Sequence, residues 1–319
     1  MAKGYTYMAF LLALAAALAG VITGMTMFFT LVFVRIWFGL LSPGLQPASM
    51  AAMTDATTSS TRAAGLGMLG AAMSIGSILG PAGATVLAPF GALVPLWGSI
   101  VVCIACGLQI CSALPSSRRT RQSAARPAPL AMREPRGFPH LLFLFTYFVA
   151  VGMIQQTLGW FLEDRYELGE EQTVLYAGIA FGCLALMMVV VQFGYVQPRK
   201  PDPRGMLPTG LILVAIGYVL ANLLMPFWAV CIAFLIVGTG AALAVPAANA
   251  LGSLAVERHE QGAAAALLSA APPAGFIFGP LIGASLYQWH PSLALYTSAF
   301  VMGLLGVYAL LVVARRPLT

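Results

Sequence analysis

The chain has 319 residues, of which 60% are hydrophobic and 8% charged, with a mean hydropathy of +0.89. A soluble domain carries about 25% charged residues, so this composition excludes a water-exposed globular surface and implies a polytopic membrane protein. The formal charge of +6 would point to nucleic acid in a soluble chain, but here no nucleic-acid partner is expected and the basic residues report orientation in the bilayer.

Apolar runs long enough to cross roughly 30 Å of hydrocarbon occur at 5–24, 26–48, 63–88 and 91–114. Six more follow, at 139–162, 173–196, 206–225, 227–254, 262–287 and 291–314. These ten runs predict an all-α membrane protein. The first resembles a signal peptide, because Lys3 precedes an alanine-rich core. No clear cleavage site separates it from the next run, and its length suits a spanning helix. Residues 115–137 are rich in Pro, Ser and Arg without apolar periodicity, and read as a flexible linker. The expected organisation is a half-bundle of four helices at 1–114, a basic cytoplasmic linker at 115–137, and a half-bundle of six helices at 138–319. The five cysteines, at 103, 106, 111, 183 and 231, all lie in apolar stretches and read as small buried hydrophobes. Cys103 and Cys106 have metal-like spacing, but no second pair or nearby histidine supports it, so no metal or other cofactor is expected.

Orientation follows from the basic residues. With the N-terminus in the cytoplasm, the inner side holds Lys3, Arg62, Arg118, Arg119, Arg121, Arg126, Arg133, Arg136, Arg199, Lys200, Arg204, Arg258, Arg315 and Arg316. The outer side holds only Arg165, and Arg35 is within a span. That asymmetry is a strong positive-inside bias. It predicts a multi-pass protein of the cytoplasmic (inner) membrane with both termini in the cytoplasm.

The chain also repeats itself. Gly76-Ser-Ile-Leu-Gly80-Pro81 recurs as Gly275-Phe-Ile-Phe-Gly279-Pro280, an offset of 275 − 76 = 199 residues. Without a gap, that offset gives 13 identities between positions 39 and 81, Gly39 on Gly238 and Pro47-Ala48 on Pro246-Ala247 among them. Subtracting 199 places Lys200 on Met1. The first half is thus expected to lack counterparts of the helices at 139–162 and 173–196, as an N-terminally shortened protein of two six-helix halves would. A genuine four-plus-six protein is the alternative. Glycines at i, i+4 and i+7 (Gly76, Gly80, Gly83) let a neighbouring helix approach closely, and the proline after Gly80 bends the helix. Gly67, Gly76, Gly80, Pro81, Gly275, Gly279 and Pro280 are therefore candidates for a gating or helix-packing motif. Pro272-Pro273 predicts a break or strong kink in its helix.

These features resemble the major facilitator superfamily, most closely its drug and metabolite efflux antiporters. Gly67, Gly76, Gly80 and Pro81 match that group's fifth-helix motif Gly-x8-Gly-x3-Gly-Pro-x2-Gly-Gly, although Ala84 and Thr85 replace the closing glycines. Leu31-x3-Arg35-x2-Phe38-Gly39 is similar to the fourth-helix motif Leu-x3-Arg-x2-Gln-Gly, with Phe38 for glutamine. Gly194-x-Val196-x-Pro198-Arg199 resembles the loop motif Gly-x-Leu-x-Asp-Arg, with proline for the acid. The resemblance covers the whole chain. It implies a helical bundle of two repeat-related halves, with about ten transmembrane helices present as equivalents of helices 3–12.

Arg35 is the one charge deep in a span, where translocon scales put its cost at about 2.5–3.5 kcal/mol. It reads as a cavity cation that binds an anionic group or tunes a carboxylate. All ten acidic residues lie in loops or at helix ends, whereas proton coupling generally uses a carboxylate within the membrane. That carboxylate is expected on the two helices that the first half lacks, with Glu163 or Asp164, or a different coupling, as the alternatives. Gln46, Gln155, Gln156, Trp160, Gln192 and Asn249 are candidates for a substrate cavity, although intramembrane amides as often bridge helices. No catalytic residue is expected: no span carries Asp, Glu, Lys or a pair of histidines, so the chain does not read as an enzyme. The expected function is proton-coupled efflux of a small organic compound or drug by alternating access, in a monomer embedded in lipid. The alternatives are a non-transporting or partner-dependent truncated relic, and an uptake symporter or facilitator.

Overall fold

The computed structural model describes residues 25–41, 49, 76, 80, 83, 87, 90, 94–113, 138–256, 264 and 267–313. The described helices are α1 (Met25–Leu41), α2 (Val94–Ala113), α3 (Phe138–Tyr166), α4 (Glu170–Val191), α5 (Pro203–Leu223), α6 (Phe227–Leu254), α7 (Ala271–Trp289) and α8 (Leu293–Tyr308). No strand occurs among the described residues, and the fold is all-α. Among the described residues, six helical segments are long and apolar enough to cross a membrane: Val94–Ser112, Phe138–Tyr166, Glu170–Arg199, Pro203–Leu223, Phe227–Gly252 and Leu293–Leu311. The run at 5–24 lies outside the described residues, as does most of 63–88.

The chain divides into two units, Met1–Gln122 and Ser123–Thr319. In the first, α1 and α2 present large apolar side chains outward, Phe28, Phe33, Trp37, Val101 and Leu108 among them. In the second, α4 and α8 do the same through Leu175, Leu186, Phe300 and Leu304. Such surfaces are stable against acyl chains and not against water.

Because lipid is as apolar as leucine, helices in a bilayer associate through close packing at small residues. In the second unit α5 and α6 meet at glycine on glycine. A methyl group built at Gly240 would lie 2.5 Å from the Gly210 carbonyl oxygen, and one at Gly210 2.6 Å from the Ala244 nitrogen. Two residues round the same helix, Gly238 of α6 accepts the backbone of α4 at Leu184. Gly306 of α8 presses on Ile212 of α5. Leu144, Leu158 and Leu162 of α3, Val214 of α5, Phe234 of α6 and Met302 of α8 fill the interior and are almost wholly buried. The buried Thr157 hydroxyl donates to the Met153 carbonyl one turn back, at 2.9 Å, so it asks nothing of the lipid.

Helix ends follow local chemistry. At Pro198 the missing N–H and the ring's clash with the carbonyl four residues back coincide with a widened π turn, Gln192–Val196, ahead of a last short helix, Gln197–Arg199. Lys200 then takes a left-handed conformation (φ 44°) and ends it. Asp202 caps α5 by accepting from the Arg204 backbone N–H at 3.0 Å, with Pro203 at the first helical position. The stretch resembling a loop motif is therefore largely helical, and the chain reverses within residues 200–202. Pro272 and Pro273 have no N–H for the carbonyls of Leu268 and Ser269. The helix breaks there: Ser269 and Ala270 form a turn, and α7 starts afresh at Ala271.

Candidate functional site

The repeated motif's second copy builds a seam between α3 and α7. Gly275, Gly279 and Gly283 recur every four residues, so they share one stripe of α7. A methyl at Gly275 would lie 2.6 Å from Cβ of Phe148, and one at Gly279 2.5 Å from the Val149 carbonyl oxygen and 2.9 Å from Cα of Gly152. One at Gly283 would lie 2.9 Å from Cα of Met153. From the other side, a methyl at Gly152 would lie 3.2 Å from Cδ of Pro280. The contacts advance together along both helices, so α3 and α7 run parallel, backbone against backbone.

The next step of the α7 stripe is Tyr287. Its ring lies 5.4 Å from that of Trp160 on α3, tilted by 53°, and its hydroxyl donates to the Asp164 carboxylate. Gln156, Trp160 and Asp164 are themselves four apart, so they prolong the α3 stripe that begins at the seam. All three are exposed, as are Gln155 and Glu163 beside them. The seam thus opens, at the end of α3 nearest the 167–169 turn, into an accessible cluster of amides, aromatic rings and carboxylates. Amides and rings of this kind can hold a small amphipathic molecule, and the carboxylate can carry a proton.

Arg165, the next residue, turns the other way. Its guanidinium donates to the carbonyls of Asn222 (2.8 Å) and Leu224 (2.9 Å) and to Sδ of Met225 (3.2 Å), and lies 5.1 Å from the centre of the Phe161 ring. The Tyr166 hydroxyl donates to the Met225 carbonyl at 2.8 Å. Together they fasten the α5–α6 turn to α3, and they keep the positive charge off the Trp160–Asp164 face.

The other candidate residues are dispersed. Arg35 is exposed on α1. Gly76 and Gly80 are helical and exposed, with nothing among the described residues within 4 Å of a methyl built on either. Gln192 opens the π turn after α4. Asn249 is exposed on α6 and returns its amide to the Val245 carbonyl at 3.0 Å. Gln46, Gly67 and Pro81 lie outside the described residues. Sequence reasoning did not find Tyr287 or the Arg165 clamp. Tyr287 had a signal, since it continues the Gly275, Gly279, Gly283 series at the same spacing; the carbonyls that Arg165 binds had none.

Fold and seam define a multi-pass helical membrane protein. The family model described as Major Facilitator Superfamily matches residues 3–204 and again 200–319, and the chain belongs to that superfamily. It is 24% identical over 271 residues to Multidrug resistance protein 2 of Bacillus subtilis (strain 168), covering 81% of this chain and 66% of that protein. It is 31% identical over 177 residues to Multidrug resistance protein MdtH of Photorhabdus laumondii subsp. laumondii, covering 54% of this chain and 41% of that one. The chain therefore spans just under two thirds of the first relative and about two fifths of the second. Both names accord with the resemblance to the drug-efflux subgroup. Among solved structures, the human organic anion transporter MFSD10 (TETRAN) superposes with a TM-score of 0.67 at 19% identity, covering 96% of this chain and 77% of that one. The peptide transporter POT in complex with alafosfalin superposes with a TM-score of 0.69 at 12% identity, covering 98% and 80%. At such identities these likenesses speak to the fold.

Proposed function

We propose that the chain acts as a secondary transporter that alternates access by rocking two half-bundles, exporting a small organic compound against protons. The observation that carries this reading is the parallel glycine seam of α3 and α7 ending on an accessible polar and aromatic cluster. A seam without side chains lets two helices move as one stiff body, and a body that moves as one is what rocking requires. Membership of the superfamily and similarity to two multidrug resistance proteins support export of a drug-like compound. Arg35 serves in this reading as the cation of the other half, binding an anionic group or tuning a carboxylate. The protein is taken as a monomer in the inner membrane with both termini cytoplasmic.

The test is drug-stimulated proton movement in inverted membrane vesicles containing the full chain. Several amphipathic compounds are expected to release the imposed proton gradient, and Arg35→Ala is expected to slow this about tenfold or more. Substrate flux without proton movement would identify a facilitator instead. No flux with any compound would leave the partner-dependent or relic reading.

A further inference from the structure

We propose that Asp164 is a proton-binding site and that Tyr287 reads its state: ionised Asp164 holds the ends of α3 and α7 together, and protonated Asp164 releases them. The inference deepens the coupling part of the function proposed above, and rests on that reading only for its use in transport. Three observations carry it. The Tyr287 hydroxyl donates to the Asp164 carboxylate across two helices. The Trp160 and Tyr287 rings meet at 5.4 Å one turn away, so the hydroxyl is held where the carboxylate stands. The glycine seam brings the backbones into contact up to Gly283 on α7 and Met153 on α3. Beyond those residues this ring contact and this hydrogen bond join the two helices at that end.

The chemistry supplies the switch. A hydrogen bond from a phenol to a carboxylate is roughly twice as strong as one between neutral groups. Protonating Asp164 removes the charge that strengthens it, while the phenol remains a neutral donor. The neighbouring groups are known. On its own helix end stand Glu163, Arg165 and Glu167, and Glu170 and Glu171 open α4. The α7 side brings Tyr287 and, just past the helix end, His290. The segments of α6 and α8 packed on α3 bring no charged side chain, α8 contributing only Tyr296 and Tyr308. Arg165 is committed to the carbonyls of Asn222 and Leu224, so no cation competes for Asp164 from that side. By the charge asymmetry of the loops this end faces outward, so a proton entering from the outer side would loosen the outer end of the α3–α7 seam.

Infrared difference spectra of the full chain in lipid nanodiscs, titrated from about pH 8 to about pH 4, read the proton directly. We expect one component of the carboxyl carbonyl band to be lost in Asp164→Asn and shifted in Tyr287→Phe, with His290→Gln leaving it in place. Amide hydrogen exchange at neutral pH is expected to rise about fivefold over residues 284–292 in Tyr287→Phe and in Asp164→Asn, with residues 275–283 unchanged as the control for folding. A band insensitive to Asp164→Asn, a transition lost in His290→Gln, or equal protection in all variants would overturn the proposal. Neither measurement needs substrate, so its failure is separate from failure of the vesicle assay.

Discussion

At the scale of single residues, Arg165 shows how a charge at the membrane edge becomes structural. Its fork spans two carbonyls and a thioether at the end of α5 and the turn after it, while its plane rests against Phe161. Arg165→Ala would leave the Asn222 and Leu224 carbonyls to find other donors, and is expected to cost about 2 kcal/mol of stability. Arg165→Lys should recover little of it, because an ammonium is a point charge that cannot copy the fork. Thermal unfolding of the purified chain in detergent checks both, and equal stability of the lysine variant would show that charge alone suffices. The residue's charge was legible in the sequence, and it was counted as the sole basic residue on one side. Its purpose was not, because its partners are backbone atoms 57 and 59 residues away, and a carbonyl leaves no mark in a sequence. The amide and aromatic candidates divide in the same way. Gln156 and Trp160 share one α3 stripe with Asp164, and Trp160 and Asp164 meet Tyr287 of α7, whereas Asn249 spends its amide on its own helix.

At the scale of elements, the hydropathy runs located the described helices well, because a span of apolar residues can do little else in lipid. The breaks were harder to read. Pro272-Pro273 announced the turn at Ser269–Ala270, but the π turn at Gln192–Val196 lies ahead of a proline two residues beyond its end. The repeat marked Gly275 and Gly279 without naming what they face; that required the third glycine, Gly283, and the partner Gly152. The contacts make a contrast that can be measured. Gly279→Ala would set a methyl 2.5 Å from the Val149 carbonyl oxygen and 2.9 Å from Cα of Gly152. Those are backbone atoms that move only if α3 and α7 part, so a loss of about 1–3 kcal/mol is expected. Gly303→Ala on α8 would set its methyl 3.8 Å from Cβ of Ala215, an ordinary contact, and should be neutral or slightly stabilising through helix propensity. Comparable melting temperatures for the two variants would show that the seam yields and does not constrain.

At the scale of the whole molecule, the distribution of charge ties the local findings to a direction across the bilayer. Fourteen basic residues fall on one side of the expected spans and Arg165 on the other, and cytoplasmic loops retain Lys and Arg. The clamp on Arg165 strengthens this reading, since a guanidinium consumed by backbone carbonyls has reason to be there whatever the membrane's polarity. Residues 115–137 should then lie in the cytoplasm and the 167–171 turn outside, with the Asp164–Tyr287 bond at the outer surface. Replacing the five cysteines with alanine and adding one reporter at a time tests this. A cysteine at Gly169 should react with a membrane-impermeant maleimide on intact cells. A cysteine at Ala125 should react only after the membrane is opened. The reverse pattern would turn the protein over, and would put the proton-binding end of the α3–α7 seam on the cytoplasmic face. There a proton from the cytoplasm would loosen the inner end of that seam instead.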